Sequence, residues 1–426
     1  MTASSRPASP SSTPSAASPA VESAASAASA EAPHWDARLW SVLLILSANM
    51  ILDAIEVSVV LVALPSIGAS LGLGLSTVQW LMSGFALGFA ALLVVGPGLN
   101  AALGRRRVYL AAMVVFAAAS VAGGLADGAA LLIATRVVKG AAAALTAPTG
   151  LAIIAATFPE GPQRRRAVSV YSLFGAAGFT AGLLLSGALL TASWRWTLLF
   201  PAPVALVLLV CALRVVPADQ GRTPVPRITP GLLRHGPLLR SAVGAATLNG
   251  GYQSLLLLFT FHTQRQLRWP AWQSALALLP ACLPLALTVP FAGAMTARWG
   301  TNRPIALGAA APVLGYALCV WRPDAGGYTA GMLPALLLVG AGFVLSFAAL
   351  NMQATSALPA ADRAAAVPLY QAAVQLGAVL TLPSTAWLLG SHHGHRAALS
   401  FITAVGCIGL LTALTGLRTP HRQAAP

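Results

Sequence analysis

The feature that most constrains this chain is a succession of twelve apolar stretches separated by short polar gaps. Read as helices, they fall at about 39–65, 77–97, 108–126, 129–155, 167–190, 197–216, 241–262, 271–293, 304–321, 328–350, 367–390 and 398–417. Each is about as long as the 17–25 residues a helix needs to cross a bilayer. Only 8% of residues are charged, against about 25% in soluble domains. Such a chain cannot clothe a water-facing surface, so its surface faces lipid. Glycine and proline inside the stretches do not break this reading, because partner helices re-satisfy freed backbone groups. The expected fold is all-α and integral to the membrane, with twelve transmembrane helices in two six-helix, pseudo-symmetric halves.

Composition varies along the chain in a way that organises it. Residues 1–37 are rich in Ser, Ala and Pro and lack large apolar residues until Trp35, so they read as a disordered cytoplasmic segment. No basic start leads there into a short apolar core, so it does not read as a cleavable leader. The longest internal gap, 217–240, holds Pro217, Pro224, Pro226, Pro230 and Pro237. It reads as a cytoplasmic linker between a first half at 38–216 and a second at 241–417, with 418–426 as a cytoplasmic tail. Two such halves are the plan of one large class of transporters. A weak internal repeat supports it: Gly104-Arg105 closes the gap after the second helix, and Arg298-Trp299-Gly300 the gap after the eighth.

The net charge of +15 is a matter of topology, not of nucleic-acid binding. The chain has 24 Arg and one Lys, nearly all in the gaps between apolar runs. Placing both termini in the cytoplasm puts 18 Arg inside and five outside, the bias that sets orientation in a plasma membrane. A basic face with stacking aromatics is absent. Cys211, Cys282, Cys319 and Cys407 lie inside apolar runs at unrelated spacings, which suits small core residues rather than a metal site. His392, His393 and His395 cluster on a loop but lack an acidic partner, so they read as solvated. No metal or cofactor is expected, and no phosphate-cradling glycine loop or nucleophile elbow is present.

Four full charges fall within the helices: Asp53, Glu56, Arg136 and Lys139. A charge at mid-bilayer costs about 2.5–3.5 kcal/mol on insertion scales, so it normally faces a partner or a cavity and marks function. Asp53 and Glu56 are three residues apart and share a face of the first helix; Arg136 and Lys139 do the same on the fourth. With the first helix ending near Pro65 and the fourth entering near Ala129, the depths match, so Glu56 is expected to face Arg136 or Lys139. Burial favours the protonated form of a carboxyl group in general, and a nearby cation the ionised form. Such a group can therefore exchange a proton or a cationic substrate. Glu56 is the first candidate and Asp53 the second; a purely structural ion pair is the alternative. Polar and aromatic residues that could line a cavity are Trp80, Phe85, Asn249, Tyr252, Gln253, Tyr370, Gln371 and Gln375, with interhelical hydrogen bonding as the plainer role.

These residues resemble motifs of the major facilitator superfamily, and within it the drug/proton antiporters, over about 52–417. Residues 55–65 read Ile-Glu-Val-Ser-Val-Val-Leu-Val-Ala-Leu-Pro, similar to that group's Leu-Asp-x-Thr-Ile-Val-Asn-Val-Ala-Leu-Pro, with Glu56 at the acidic position. Arg136-Val137-Val138-Lys139-Gly140 resembles Arg-x-x-Gln-Gly, and Trp194-Arg195-Trp196 matches Trp-Arg-Trp. The chain departs where the family has a loop Asp, here Ala101 and again Ala297, and where it has Pro in the fifth helix, here Leu183. The two extra helices of fourteen-helix members are absent. The resemblance implies a non-enzymatic, monomeric secondary transporter in the lipid bilayer, exporting small apolar or cationic compounds in exchange for protons. In it Glu56, Asp53, Arg136 and Lys139 couple the two. Gly104, Arg105, Arg298 and Gly300 gate, and Gly178, Gly182 and Gly187 allow close packing of the fifth helix. An uncoupled or importing carrier, or a non-transporting sensor on the same fold, are the alternatives.

Overall fold

The computed structural model describes residues 35–217, 229–288, 291–321, 327–356, 358–391 and 394–418. Twelve long helices dominate: α1 (Ala37–Leu71), α2 (Trp80–Leu103), α3 (Arg105–Gly124), α4 (Ala129–Thr157), α5 (Pro162–Leu189) and α6 (Pro201–Val215), then α7 (Gly236–Phe261), α8 (Ala271–Thr288), α9 (Asn302–Trp321), α10 (Leu333–Ala354), α11 (Ala360–Gly390) and α12 (Gly394–Arg418). Among the described residues no strand occurs. Eleven described spans are long and apolar enough to cross a membrane. The exception, α7, has the length at 26 residues but carries Asn249, Gly250, Gly251, Tyr252, Gln253 and Ser254 at its middle. Tyr252, Gln253 and Ser254 are buried. A span whose polar groups turn into the bundle needs less apolar surface than one that meets lipid.

The helices outrun their apolar stretches. α1 continues through Pro65 to Leu71, where Gly72 ends it in a left-handed conformation (φ 64°). At 35 residues and 1.5 Å per residue it is about 50 Å long, well beyond a hydrocarbon core of about 30 Å. The expected end at Pro65 is thereby corrected: a proline removes one N–H, and the packed neighbours keep the helix going. α2 likewise passes through Pro97 to Leu103, and α11 starts at Ala360, before Pro368. The sixth passage is split, with a short helix Trp194–Leu199 ahead of α6. Two passages begin or end in a single π turn, His262–Gln266 after α7 and Tyr328–Met332 before α10. Of the expected linker 217–240, residues 218–228 lie outside the described residues; a short helix Pro230–Leu233 follows, and α7 already begins at Gly236. The expected disordered start lies outside the described residues up to 34, as do the tail 419–426 and His392 and His393.

The end of the bundle holding Ala37 and Arg418 is called the near end here, and the opposite end the far end. At the far end the two halves share one apolar core. Leu61, Leu64, Ile67 and Leu198 join Leu255, Leu258, Leu278 and Ile402 in it. Gln264 Nε2 donates to Val62 O at 3.0 Å, from beyond α7 to α1. A near-end core of Val42, Leu43, Tyr109, Ile154 and Phe158 belongs to the first half alone. The bundle is thus closed at its far end. The two loop glycines of the internal repeat adopt the same backbone hand, Gly104 at φ 87° and Gly300 at φ 70°, a region that favours glycine.

A second far-end tie forms around Trp194-Arg195-Trp196. Arg195 donates to Gly124 O and Ala126 O, both at 3.0 Å, and pairs with Asp127 at 2.6 Å. Asp127 is 86% exposed, so Asp127→Asn is expected to cost less than about 1 kcal/mol. Arg195→Ala also strips two carbonyls of their donor and should lower the melting temperature visibly more. Thermal melts of the two variants in detergent check the order.

Candidate functional site

α1 and α4 cross in the first half, and glycines set how closely their neighbours approach. A Cβ on Gly140 of α4 would lie 2.0 Å from Phe85 O of α2, and one on Gly88 equally close to Val137 O. Helices α2 and α4 therefore touch backbone to backbone, which places Arg136 against the end of the first turn of α2. Its Nε donates to Leu81 O at 2.8 Å and its Nη2 to Glu56 O at 2.9 Å, and its Nη1 pairs with Glu56 Oε2. Lys139 Nζ, one turn along, takes the other carboxylate oxygen, Oε1, at 2.5 Å. Glu56 is fully buried, and Arg136 and Lys139 are 1% exposed. Phe85 lies under the guanidinium (4.7 Å to the ring centre) and Phe116 of α3 under the ammonium (5.0 Å), so aromatic faces cover the cations where carboxylate does not. Gly140→Ala is expected to force α2 and α4 apart and to destabilise by at least the 1–3 kcal/mol or so typical of overpacking. A lower melting temperature than for Gly98→Ala, where a Cβ meets open space, is the check.

Asp53 is held differently. One turn toward the near end from Glu56, its Oδ2 accepts from Thr146 Oγ1 at 2.8 Å and from Asn49 Nδ2 at 3.0 Å. Both donors are neutral. Asp53 is 6% exposed where Glu56 is sealed. With both carboxylates ionised, the four charges sum to zero. One further positive charge at Asp53, a proton or an organic cation, leaves the set at plus one. The expected facing of Glu56 with the α4 cations is met by both of them, although α1 runs some six residues further than expected and the depth match from Pro65 does not hold.

Thr146 and Asn49 were not among the sequence candidates. The signal was present: Asn49 stands four residues before Asp53, and Thr146 seven after Lys139, both on the faces the charges already define.

The other candidates scatter. Phe85 belongs to the charge set, whereas Trp80 turns outward at 36% exposed while its neighbour Leu81 supplies the carbonyl to Arg136. Asn249 donates to Val374 O at 2.9 Å, tying α7 to α11. Tyr252 sits between Phe179 of α5 (5.8 Å between ring centres) and Phe343 of α10 (4.4 Å), so an aromatic row crosses from one half to the other. Gln253 and Tyr370 are buried, with Gln253 Oε1 and the Tyr370 hydroxyl unpartnered among the described residues. Gln371 and Gln375 are half-buried, one turn apart on α11. A Cβ on Gly178 would lie 2.6 Å from Ala54 Cβ, on Gly182 2.1 Å from Ser58 Oγ, and on Gly187 2.8 Å from Trp272 Cα. These three let α5 lie against α1 and, at the far end, against α8. Arg105 opens α3 after Gly104, and Arg298 is exposed near the end of the helix Ala292–Trp299, before Gly300.

An all-α membrane bundle in two halves, whose buried charged side chains among the described residues all lie in the first, matches the profile of the Major Facilitator Superfamily over residues 46–382. The chain belongs to that superfamily. The superfamily fold is equally clear among solved structures. A crystal structure of a D-xylose–proton symporter superposes with a TM-score of 0.72 at 17% identity, covering 91% of this chain and 99% of that one. A partially occluded inward-open xylose transporter of E. coli gives 0.71 at 14%, over 92% and 100%. Among sequence relatives are a cephamycin export protein of Amycolatopsis lactamdurans, 39% identical over 39% of this chain and 35% of that protein, and a probable actinorhodin transporter of Streptomyces coelicolor, 32% identical over 60% and 42%. A lincomycin resistance protein of Streptomyces lincolnensis is 26% identical over 91% of this chain and 93% of its own. The alignments with the first two span well under half of those relatives' length.

Proposed function

We propose that this superfamily member is a secondary active exporter that moves small apolar or cationic organic compounds out of the cell in exchange for protons. The observation that carries the reading is the split between two neighbouring buried carboxylates: Glu56 held by two cations, Asp53 held by neutral donors alone. Protonating Glu56 would strand two buried cations, which is costly. Protonating Asp53 strands none. Asp53 is therefore the exchanging group, and Glu56 with Arg136 and Lys139 is the fixed charge beside it. A cationic substrate and a proton compete for Asp53, and alternating access carries each across in turn. The aromatic row at Phe179, Tyr252 and Phe343 offers flat apolar surface between the halves. Relatives named for antibiotic export and resistance support the substrate class. The Arg bias places both termini in the cytoplasm of a plasma-membrane protein, so the near end faces inward. The protein works as a monomer, binding and moving its substrates without converting them.

Ala101 and Leu183, standing where antiporters carry Asp and Pro, favour a second reading: a carrier without proton coupling. Transport assays in proteoliposomes separate the two. An imposed proton gradient is expected to drive accumulation of a lipophilic cation against its own gradient. Equilibration without accumulation would favour the uncoupled carrier.

A further inference from the structure

The second half contains a cleft of its own, apart from the charge set on α1 and α4. It opens at the near end between α7, α9, α10 and α12 and is narrow, with about 30 Å³ of free space inside. Arg240 is the one charged residue among those that line it, and no acid does. The Arg240 Nε is buried and has no hydrogen-bond partner among the described residues. Deeper in, Ser346 is 1% exposed and its Oγ is likewise unpartnered.

The other polar groups at the mouth are already committed to one another. Ser241 donates to Gln353 Oε1 at 2.9 Å, Gln353 to Asn302 Oδ1 at 3.0 Å, and Asn302 to Gly416 O at 3.1 Å. That chain uses up the amide acceptors and ties α7, α10, α9 and α12 into a rim. Among the lining groups, those buried without a partner are the Arg240 guanidinium N–H, which can only donate, and the Ser346 hydroxyl. Buried donors without acceptors are costly, so the cleft is complementary to an anion.

Its position narrows the anion further. Arg240 is the fifth residue of α7, about 6 Å along the helix from its start, which is headgroup depth. Leu248 and Leu350 line the cleft further in, so a charged head group would meet Arg240 from the mouth. Basic pockets between membrane helices at this depth bind anionic headgroups.

We propose that this cleft binds a phosphate group through Arg240, as the phosphodiester of an anionic phospholipid or as free phosphate. The full-length protein, stripped of lipid in detergent, is given phosphatidylglycerol, phosphatidylcholine or inorganic phosphate, and is followed by native mass spectrometry and thermal melting. Phosphatidylglycerol is expected to stay bound and to raise the melting temperature, and phosphatidylcholine to do neither. Arg240→Gln should reduce phosphatidylglycerol retention at least about tenfold, the loss of one charge-assisted contact. Arg234→Gln, at an exposed neighbour, should change nothing. Arg240→Lys, which keeps the charge, should retain most of the binding and serves if the Gln variant fails to fold. Protection by inorganic phosphate alone, lost in Arg240→Gln, would also support the site and identify free phosphate as its occupant. Equal retention of the two lipids, retention unaffected at Arg240, or no effect of any of the three probes would overturn the proposal.

Discussion

Asp53→Asn is expected to abolish proton-driven export while the protein still folds. Asparagine keeps an oxygen for Thr146, so the local hydrogen bonding survives and the melting temperature should stay near wild type. What disappears is the capacity to hold a proton or to neutralise a cation. A hydrogen bond to a charged group is worth about 1.5–3 kcal/mol, so binding of a cationic substrate should weaken at least tenfold or so. Uptake of a lipophilic cation into everted membrane vesicles, energised by an acid interior, checks both effects. Wild-type accumulation in the variant would mean that Asp53 only packs.

Glu56→Gln should fail in a different way. It leaves Arg136 and Lys139 buried, at 1% exposure each, without a counter-ion. Removing one partner of a buried ion pair costs about 3–5 kcal/mol, and here two cations share the single carboxylate. Low yield and a sharply lowered melting temperature are the expected result. Adding Lys139→Met removes one stranded charge and should recover part of the loss, because Met fills similar apolar space beside Phe116. A Glu56→Gln protein as stable as wild type, but unable to exchange protons, would transfer the carrier role from Asp53 to Glu56.

How far the sequence foretold this site depends on which property was being read. Hydropathy marks where a helix meets lipid, so the number of passages was legible and their ends were not. α1 past Pro65 and the first turns of α5, with Arg164, Arg165 and Arg166, are helical where they leave the apolar layer. The polar centre of α7 was legible as a span only by its length and spacing. Helical period paired Asp53 with Glu56 and Arg136 with Lys139, and their rarity in an apolar chain marked them. The sequence put Glu56 ahead of Asp53, and the proposal reverses that order. The reversal rests on Asn49 and Thr146, ordinary polar residues whose partnership with Asp53 depends on how α1 crosses α4. Nor does the pattern of the chain reveal that Gly88 and Gly140 seat α2 on α4, or that Arg240 faces a cleft without an acid.

The most direct test of the central claim is proton release from purified protein in weakly buffered detergent solution as lipophilic cations and aromatic metabolites are added. Wild type is expected to release protons when a compound binds, and Asp53→Asn to release none. Equal release from both proteins, or binding to wild type with no release at all, would contradict the exchange at Asp53.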